Sequence, residues 1–297
     1  MPIDSAQLVA LVAVIEEGSF ERAASVLHVT RSAVSQRIKL LEERVGQVLV
    51  RRSTPCMPTE AGQAIFRHAQ QMALSEADAL GAIAGTGAHS AVRLSLGVNA
   101  DSLATWFPQA MAAAAADDRG ITFDIHTEDQ DHSSSLLREG RVMAAVTSEP
   151  VAVQGCQVLA VGTMRYRAVC SPDYWQRQFA LGVNAVTLAA APTLVFNRKD
   201  TLQARFARQI TRKAIDPPVH WLPSSQAFVD AALWGLGWGM NPEPLIAGWV
   251  ASGRLVDMAP DKPVDVALYW QYWRLNVRAL NRMTDAVQQA ATQALRA

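Results

Sequence analysis

In the first 90 residues, hydrophobic and polar positions repeat with a helical period. Leu8, Leu11, Val12 and Ile15 follow i, i+3, i+4, i+7, which predicts an amphipathic helix with Asp4 as its N-cap. Glu17-Gly18-Ser19 ends it, and Ser19 can cap a short second helix from about Phe20 to Leu27, with Ala23, Ala24 and Leu27 inward. His28-Val29 is a tight turn. Thr30 then caps a third helix, Arg31 to Val45, which Gly46 ends. Its apolar stripe is Val34, Ile38, Leu41 and Val45. Two short extended runs follow, Val48-Leu49-Val50 and Cys56-Met57, and read as a β-hairpin wing with Arg51, Arg52 and Pro55 between them. From Thr59 to about Ala84 one helix is expected, capped by Thr59 and running roughly 39 Å at 1.5 Å per residue. Ile65, Ala69, Met72, Leu80 and Ile83 give it a near-heptad stripe broken by Glu76. A helix this long beside a small domain has little of its own chain to pack on, so self-association is favoured. Gly81, Gly85, Gly87 and Ser90 then mark a flexible exit.

Beyond residue 90 the pattern becomes strands alternating with helices. Val92, Leu94, Leu96 and Val98 predict a strand, and Asn99-Ala100-Asp101-Ser102 turns into a helix from Leu103 to Ala116 that Pro108 kinks or restarts. Ile121, Phe123 and Ile125 predict a strand, Asp131 to Glu139 a helix, and Val142 to Val146 a buried strand. A second set follows Gly162: Thr193–Phe196, a helix near Leu202–Arg212, Val219–Leu222, a helix near Ser225–Leu233, and Trp238–Met240. Such alternation implies parallel sheets and two α/β lobes with a cleft between them. Ala267–Trp273 reads as a strand crossing between lobes, and Leu280, Met283, Val287 and Leu295 as the buried stripe of the last helix. The fold class is α/β overall. We expect a winged helical module at 1–58, a linker helix and hinge at 59–90, and a two-lobed domain at 91–297. Lobe I covers about 91–161 and 267–297, and lobe II about 162–266.

Composition bounds the function. Half of the 297 residues are hydrophobic, which excludes wholesale disorder. No apolar run is long enough to cross a membrane, and Met1-Pro2-Ile3-Asp4 lacks the basic start of a secretory signal. Cys56, Cys156 and Cys170 are few and odd in number, which fits reduced thiols and a cytoplasmic protein. Cys156 and Cys170 are a conceivable redox pair, but buried small hydrophobes are the simpler reading. Basic and acidic residues balance at 27 each, which taken alone counts against a nucleic-acid binder. The balance hides a local imbalance. Residues 1–30 carry Arg22 against Asp4, Glu16, Glu17 and Glu21. Residues 31–52 carry Arg31, Arg37, Lys39, Arg44, Arg51 and Arg52 against only Glu42 and Glu43. A polyanion needs only such a local face.

Helix, short helix, tight turn and polar-faced helix make up a helix-turn-helix. Thr30, Arg31, Ser32, Ser35, Gln36 and Lys39 lie on the open face of the third helix; short polar groups there reach base edges, while Arg37, Lys39, Arg51 and Arg52 suit phosphates. With only Phe20 and Phe66 as aromatics in residues 1–90, double-stranded DNA is a better target than a stacked single strand.

These residues resemble the N-terminal domain of LysR-type transcriptional regulators. The likeness rests on Ala23-Ala24, the run TRSAVSQRIKLLE at Thr30–Glu42, Gly46, and PTEAG at Pro58–Gly62, and it extends along the chain. Within that family the chain is most similar to the branch that senses lysine and arginine, through SAVSQRIK, PCMPTEAG, VNADSLATWF, GLGWGM and YWQYWRL. Relatives often carry Gln where Arg31 stands, so base preference there is expected to differ. The resemblance implies a periplasmic-binding-protein-like sensor, linker helices paired into a homo-oligomer, RNA polymerase as a further candidate partner, and a target gene for basic amino-acid export or metabolism.

Ligands of such folds bind at carboxyl ends of strands against helix N-termini. Asn99-Ala100-Asp101-Ser102 and Pro223-Ser224-Ser225 are strand-to-helix turns, where free N–H groups and a hydroxyl suit a carboxylate. Read alone, each serine is more simply a plain N-cap; with the family, binding is expected at Ser102 and at least one of Ser224 and Ser225. A cationic effector needs anionic partners. Asp124, Glu128, Asp129 and Asp131 form an acidic run that is either a solvated loop or the cleft mouth, and site position together with the resemblance favours Glu128, Asp129 and Asp101 as contacts. Thr147 and Ser148 at the next strand end complete the candidate set.

Competing classes fit less well. No GxSxG, HExxH, phosphate loop or metal cluster is present, so no catalytic residue, metal or cofactor is expected. GLGWG at Gly235–Gly239 follows a helix and reads as a tight turn. Among the histidines only His126, beside the acidic run, invites inspection. A solute-binding protein would explain the second half alone but not the attached DNA module, and a LysR-type regulator of another metabolite is the nearer alternative.

Overall fold

The computed structural model describes residues 3–83, 92–117, 120–128 and 133–297. Helix α1 (Ser5–Glu17) is capped by Asp4, α2 (Phe20–Val26) by Ser19, and α3 (Arg31–Val45) by Thr30, whose hydroxyl accepts from Ala33 N. Each cap fills donors that a helix start leaves open. Gly46, at φ 75°, ends α3 in the left-handed region. Leu11, Val34, Ile38, Leu41 and Leu49 close a small core of their own. The wing is shifted from its expected place by about one residue: β1 (Val50–Arg51) pairs antiparallel with β2 (Met57–Pro58). Thr59 then caps α4 (Glu60–Ile83), its hydroxyl accepting from Gly62 N. Any side chain at Gly62 would collide with the Leu49 carbonyl, so glycine lets the linker helix leave hard against the wing.

The expectation that α4 lacks a body to pack on is corrected. Leu74 joins the core of the second half of the chain, the Arg67 guanidinium donates to the Arg138 carbonyl, and Asp78 Oδ1 accepts from Arg278 N at 3.1 Å. The supporting surface comes from residues distant in sequence, which a local pattern does not reveal. Met72 and Leu80 on the same helix stay 46% and 57% exposed. Gly81 lies within α4, while Gly85, Gly87 and Ser90 of the expected hinge fall outside the described residues.

The sensor half begins with β3 (Val92–Asn99), α5 (Ala100–Ala104), α6 (Phe107–Asp117), β4 (Ile121–Glu128), α7 (Ser133–Arg138) and β5 (Ala144–Thr147). Pro108 restarts the helix near the beginning of α6, as its missing N–H allows. Next comes β6 (Cys156–Cys170), a 15-residue strand with no counterpart in the expected elements. The rest of the chain forms α8 (Pro172–Gln178), α9 (Ala185–Ala190), β7 (Thr193–Val195), α10 (Leu202–Thr211), β8 (Val219–Trp221), α11 (Ser225–Leu233), β9 (Gly239–Pro242), α12 (Glu243–Ala251), β10 (Val256–Asp257), β11 (Val264–Trp273) and α13 (Arg278–Ala294).

The main sheet runs β10-β6-β11-β5-β3-β4, with β9 also on β6, and β7 pairs with β8 separately. The expected parallel pairing holds for β3 with β4 and β5 and for β7 with β8. The remaining pairs are antiparallel, because β6 and β11 run past each other from one lobe into the next. Their register shifts between Leu268 and Tyr269, so the faces exchange where the lobes meet. Trp270, Trp273, Phe107, Leu280 and Met283 fill the core beside this crossing, and Trp270 Nε1 donates to Thr284 Oγ1 at 3.1 Å. Cys156 and Cys170 begin and end β6, far too distant to form a disulfide. Burial pushes the Cys170 thiol up to about 12.

Candidate functional site

Between the lobes lies a cleft of about 310 Å³, at the lower end of the roughly 300–1,000 Å³ seen for small-molecule pockets. Asp101 lies on its wall. Tyr166 Oη, on β6, donates to Asp101 Oδ2 at 2.8 Å, and Ser225 Oγ, at the start of α11, donates to Oδ1 at 2.6 Å. One carboxylate of lobe I thereby meets the crossover strand and lobe II together. It also faces the N-terminal end of α11, where the helix dipole favours negative charge. Apolar walls come from Phe196, Leu202, Phe228 and Met240.

Other polar groups of the wall are largely engaged. Asp200 accepts from Phe196 N and Leu202 N, bracing the start of α10. Asp265 takes two bonds from Arg165, at 2.8 and 2.7 Å, which hold its carboxyl below the usual range. Asn99, ending β3, caps α5 by accepting from Ser102 N at 2.8 Å. Asn241, on β9, donates from Nδ2 to the Gly239 carbonyl at 3.3 Å. Asn99 Nδ2, Ser102 Oγ and Asn241 Oδ1 are buried without a partner among the described residues.

The second surface is the outer face of α3 with the wing. Thr30, Arg31, Ser32, Gln36, Lys39, Arg51 and Arg52 are exposed, while Ser35 and Arg37 are partly so. Arg31 is paired with Glu21 at 2.8 Å and Lys39 with Glu43 at 3.6 Å, both open to solvent. Thr30 and Ser32 share a hydroxyl contact at 2.9 Å. The Arg52 guanidinium lies 5.1 Å above the Phe20 ring, which steadies it without consuming its donors.

A family model of the LysR substrate binding domain matches residues 87–292, and a model of bacterial regulatory helix-turn-helix proteins of the lysR family matches residues 5–63. The chain belongs to the LysR family. The LysG transcriptional regulator of Mycobacterium tuberculosis is 48% identical over 291 residues, 98% of this chain and 94% of that one. The crystal structure of ArgP from Mycobacterium tuberculosis is 47% identical, covers 99% of both chains and superposes with a TM-score of 0.88. The lysine export regulatory protein LysG of Corynebacterium glutamicum is 40% identical over 295 residues, 98% of each chain. The structure of full-length LysG from that organism with bound effector Arg covers 99% of this chain and 100% of its own, with a TM-score of 0.80 at 39% identity. This LysR-family chain is therefore an effector-controlled, DNA-binding transcriptional regulator and not an enzyme.

Within the LysR-family sensor, the structure brings Asn99, Asp101, Ser148 and Ser225 to the cleft. Ser102 lies fully buried behind Asn99 rather than on the wall. Thr147 is also buried, its hydroxyl donating to the Glu149 carbonyl and accepting from Gln271 Nε2. Ser224 is spent as the N-cap of α11, accepting from Ala227 N. The Glu128 backbone pairs in register with Asn99, so β4 ends beside the cleft, whereas the Glu128 side chain and Asp129 and Asp131 lie outside the described residues. Asp124 and His126 turn to each other at 3.6 Å, with Arg93 on the same carboxylate, and are not among the residues lining the cleft. Tyr166 and Asn241 were not expected. Tyr166 lies on β6, for which no element was expected, and Asn241 lies just past the expected strand Trp238–Met240.

Proposed function

We propose that the protein is a cytoplasmic, lysine- or arginine-responsive regulator of a gene for basic amino-acid export or metabolism. The observation that carries this reading is the Asp101 carboxylate set at the meeting point of both lobes, in a cleft sized for an amino acid. The LysG relative with bound Arg supports the ligand class. Asp101 supplies negative charge that a desolvated ammonium or guanidinium needs, and the acidic sequence residues Glu128 and Asp129 are proposed to add to it. Asn99, Ser148 and Ser225 form the polar end, with Ser102, Thr147 and Ser224 behind them. Ligand closes the lobes on each other, and the crossing strands β6 and β11 carry the change toward the linker.

On DNA, Thr30, Arg31, Ser32, Ser35 and Gln36 read base edges, while Arg37, Lys39, Arg51 and Arg52 hold phosphates. Two chains pair through the exposed Met72–Leu80 side of α4, which spaces the two reading helices. RNA polymerase is the further partner of the assembled regulator. Titrating the purified protein with the twenty amino acids by calorimetry tests the reading. Lysine or arginine should give saturable heat and the other eighteen little or none; binding confined to a different metabolite would refute it.

A further inference from the structure

The cleft holds two buried amides whose orientation is fixed by the backbone. Asn99, 2% exposed, turns Oδ1 to the Ser102 N–H, and Asn241, fully buried, turns Nδ2 to the Gly239 carbonyl. Flipping either amide would set donor against donor in the first case and acceptor against acceptor in the second. What remains is therefore determined: a free N–H donor on Asn99 in lobe I, and a free carbonyl acceptor on Asn241 in lobe II. Neither has a partner among the described residues, and both residues line the same cavity. Buried polar atoms left unmatched are rare in proteins and call for a ligand or ordered water.

The pair is complementary to one chemical unit. An α-amino acid carries an anionic acceptor and a cationic donor on the same carbon. We propose that Asn241 Oδ1 accepts a hydrogen bond from the ligand's α-ammonium while Asn99 Nδ2 donates to its α-carboxylate. The proposal rests on the amino-acid reading of the cleft and deepens it: Asp101 is left for the side-chain cation, and the two amides make the whole zwitterion a requirement. A decarboxylated amine leaves Asn99 unmatched, and a deaminated acid leaves Asn241 unmatched. Sites that hydrogen-bond a substrate group reject analogues lacking it far better than apolar walls reject a misfit.

The test is calorimetric titration of the full-length protein with arginine, agmatine, which lacks the α-carboxylate, and 5-guanidinopentanoate, which lacks the α-ammonium. Wild-type protein should bind both analogues about 10- to 100-fold more weakly than arginine, as expected for one lost hydrogen bond to a charged group. Asn241→Leu should lose that factor for arginine yet bind 5-guanidinopentanoate as wild type does, which also demonstrates an intact fold. Asn241→Asp keeps an acceptor and adds charge, so its preference for arginine over 5-guanidinopentanoate should rise, an outcome that misfolding does not produce. Asn99→Asp keeps the cap on α5 and removes the donor, so it should weaken arginine but not agmatine. If the arginine to 5-guanidinopentanoate ratio is the wild-type one in both Asn241 variants, the amides meet only ordered water and the proposal is overturned. If wild-type protein binds neither arginine nor lysine, the reading of the cleft falls and this proposal with it.

Discussion

In the winged helix-turn-helix domain the polar face runs along one helix, from Thr30 to Lys39, and every residue on it is positioned by neighbours three or four places away. In the cleft, Asp101 meets Ser225 across 124 residues of chain and Tyr166 across 65. The first surface is local and rests on a small separate core; the second exists only when two lobes and two crossing strands are in register. A surface of the first kind fails by losing its helix. One of the second kind can fail by a small change in lobe packing, which is also what lets a ligand switch it.

The largest expected effect comes from breaking one region and sparing the other. Ile38→Ala empties a fully buried position in the winged-domain core and should cost that domain about 2–5 kcal/mol. DNA binding by fluorescence anisotropy should then collapse while the arginine titration keeps its wild-type midpoint. A parallel loss of arginine binding would mean that the two regions are not independent, with the α4 contacts through Leu74 and Asp78 as the route. Asp101→Ala is the converse. It leaves the Tyr166 and Ser225 hydroxyls without their shared acceptor and should weaken arginine by about 2–3 kcal/mol, or roughly 30- to 150-fold. Circular dichroism and effector-free DNA affinity should stay as in wild type.

Smaller effects sharpen the contrast. Arg52→Ala removes one phosphate donor at the wing, so the slope of log affinity against log salt should fall by about 0.9, with no change in sequence preference. An unchanged slope would remove Arg52 from the phosphate set. The smallest effect concerns pH. Two bonds from Arg165 hold Asp265 low, and in Glu243 the bonds from Arg296 and Arg167 outweigh the upward push of burial. A carboxylate with a depressed native pKa contributes stability above its unfolded pKa and loses it as pH falls through the native value. The urea midpoint of the sensor half should therefore drop below about pH 4, and Asp265→Asn should flatten that drop by less than about 1 kcal/mol because the pair is solvent-screened.

The contrast also explains which features could be read from sequence. Asp4, Ser19, Thr30 and Thr59 stand as caps where the pattern puts them, because capping is decided within three residues. Strand β3 and helix α11 were legible for the same reason. Strand β6 was not: its burial alternation breaks near Gly162, where the strand passes from one lobe to the other. Leu74 stayed hidden because it serves a core contributed by residues beyond 90, out of step with the stripe of Ile65, Ala69 and Met72. At the site, Asn99, Asp101 and Ser225 were found through strand-to-helix turns, whereas Asn241 and Tyr166 sit within strands and acquire a role only through tertiary contact.

Effector control requires that binding in the cleft and DNA binding at α3 be coupled. Coupling is reciprocal for equilibrium affinities. The direct test is the arginine Kd measured by calorimetry on the full-length protein, alone and saturated with a duplex selected from a random pool for tight binding. The two Kd values should differ by about 5- to 150-fold, with the difference lost in Asp101→Ala. Equal arginine Kd values with and without DNA would contradict it.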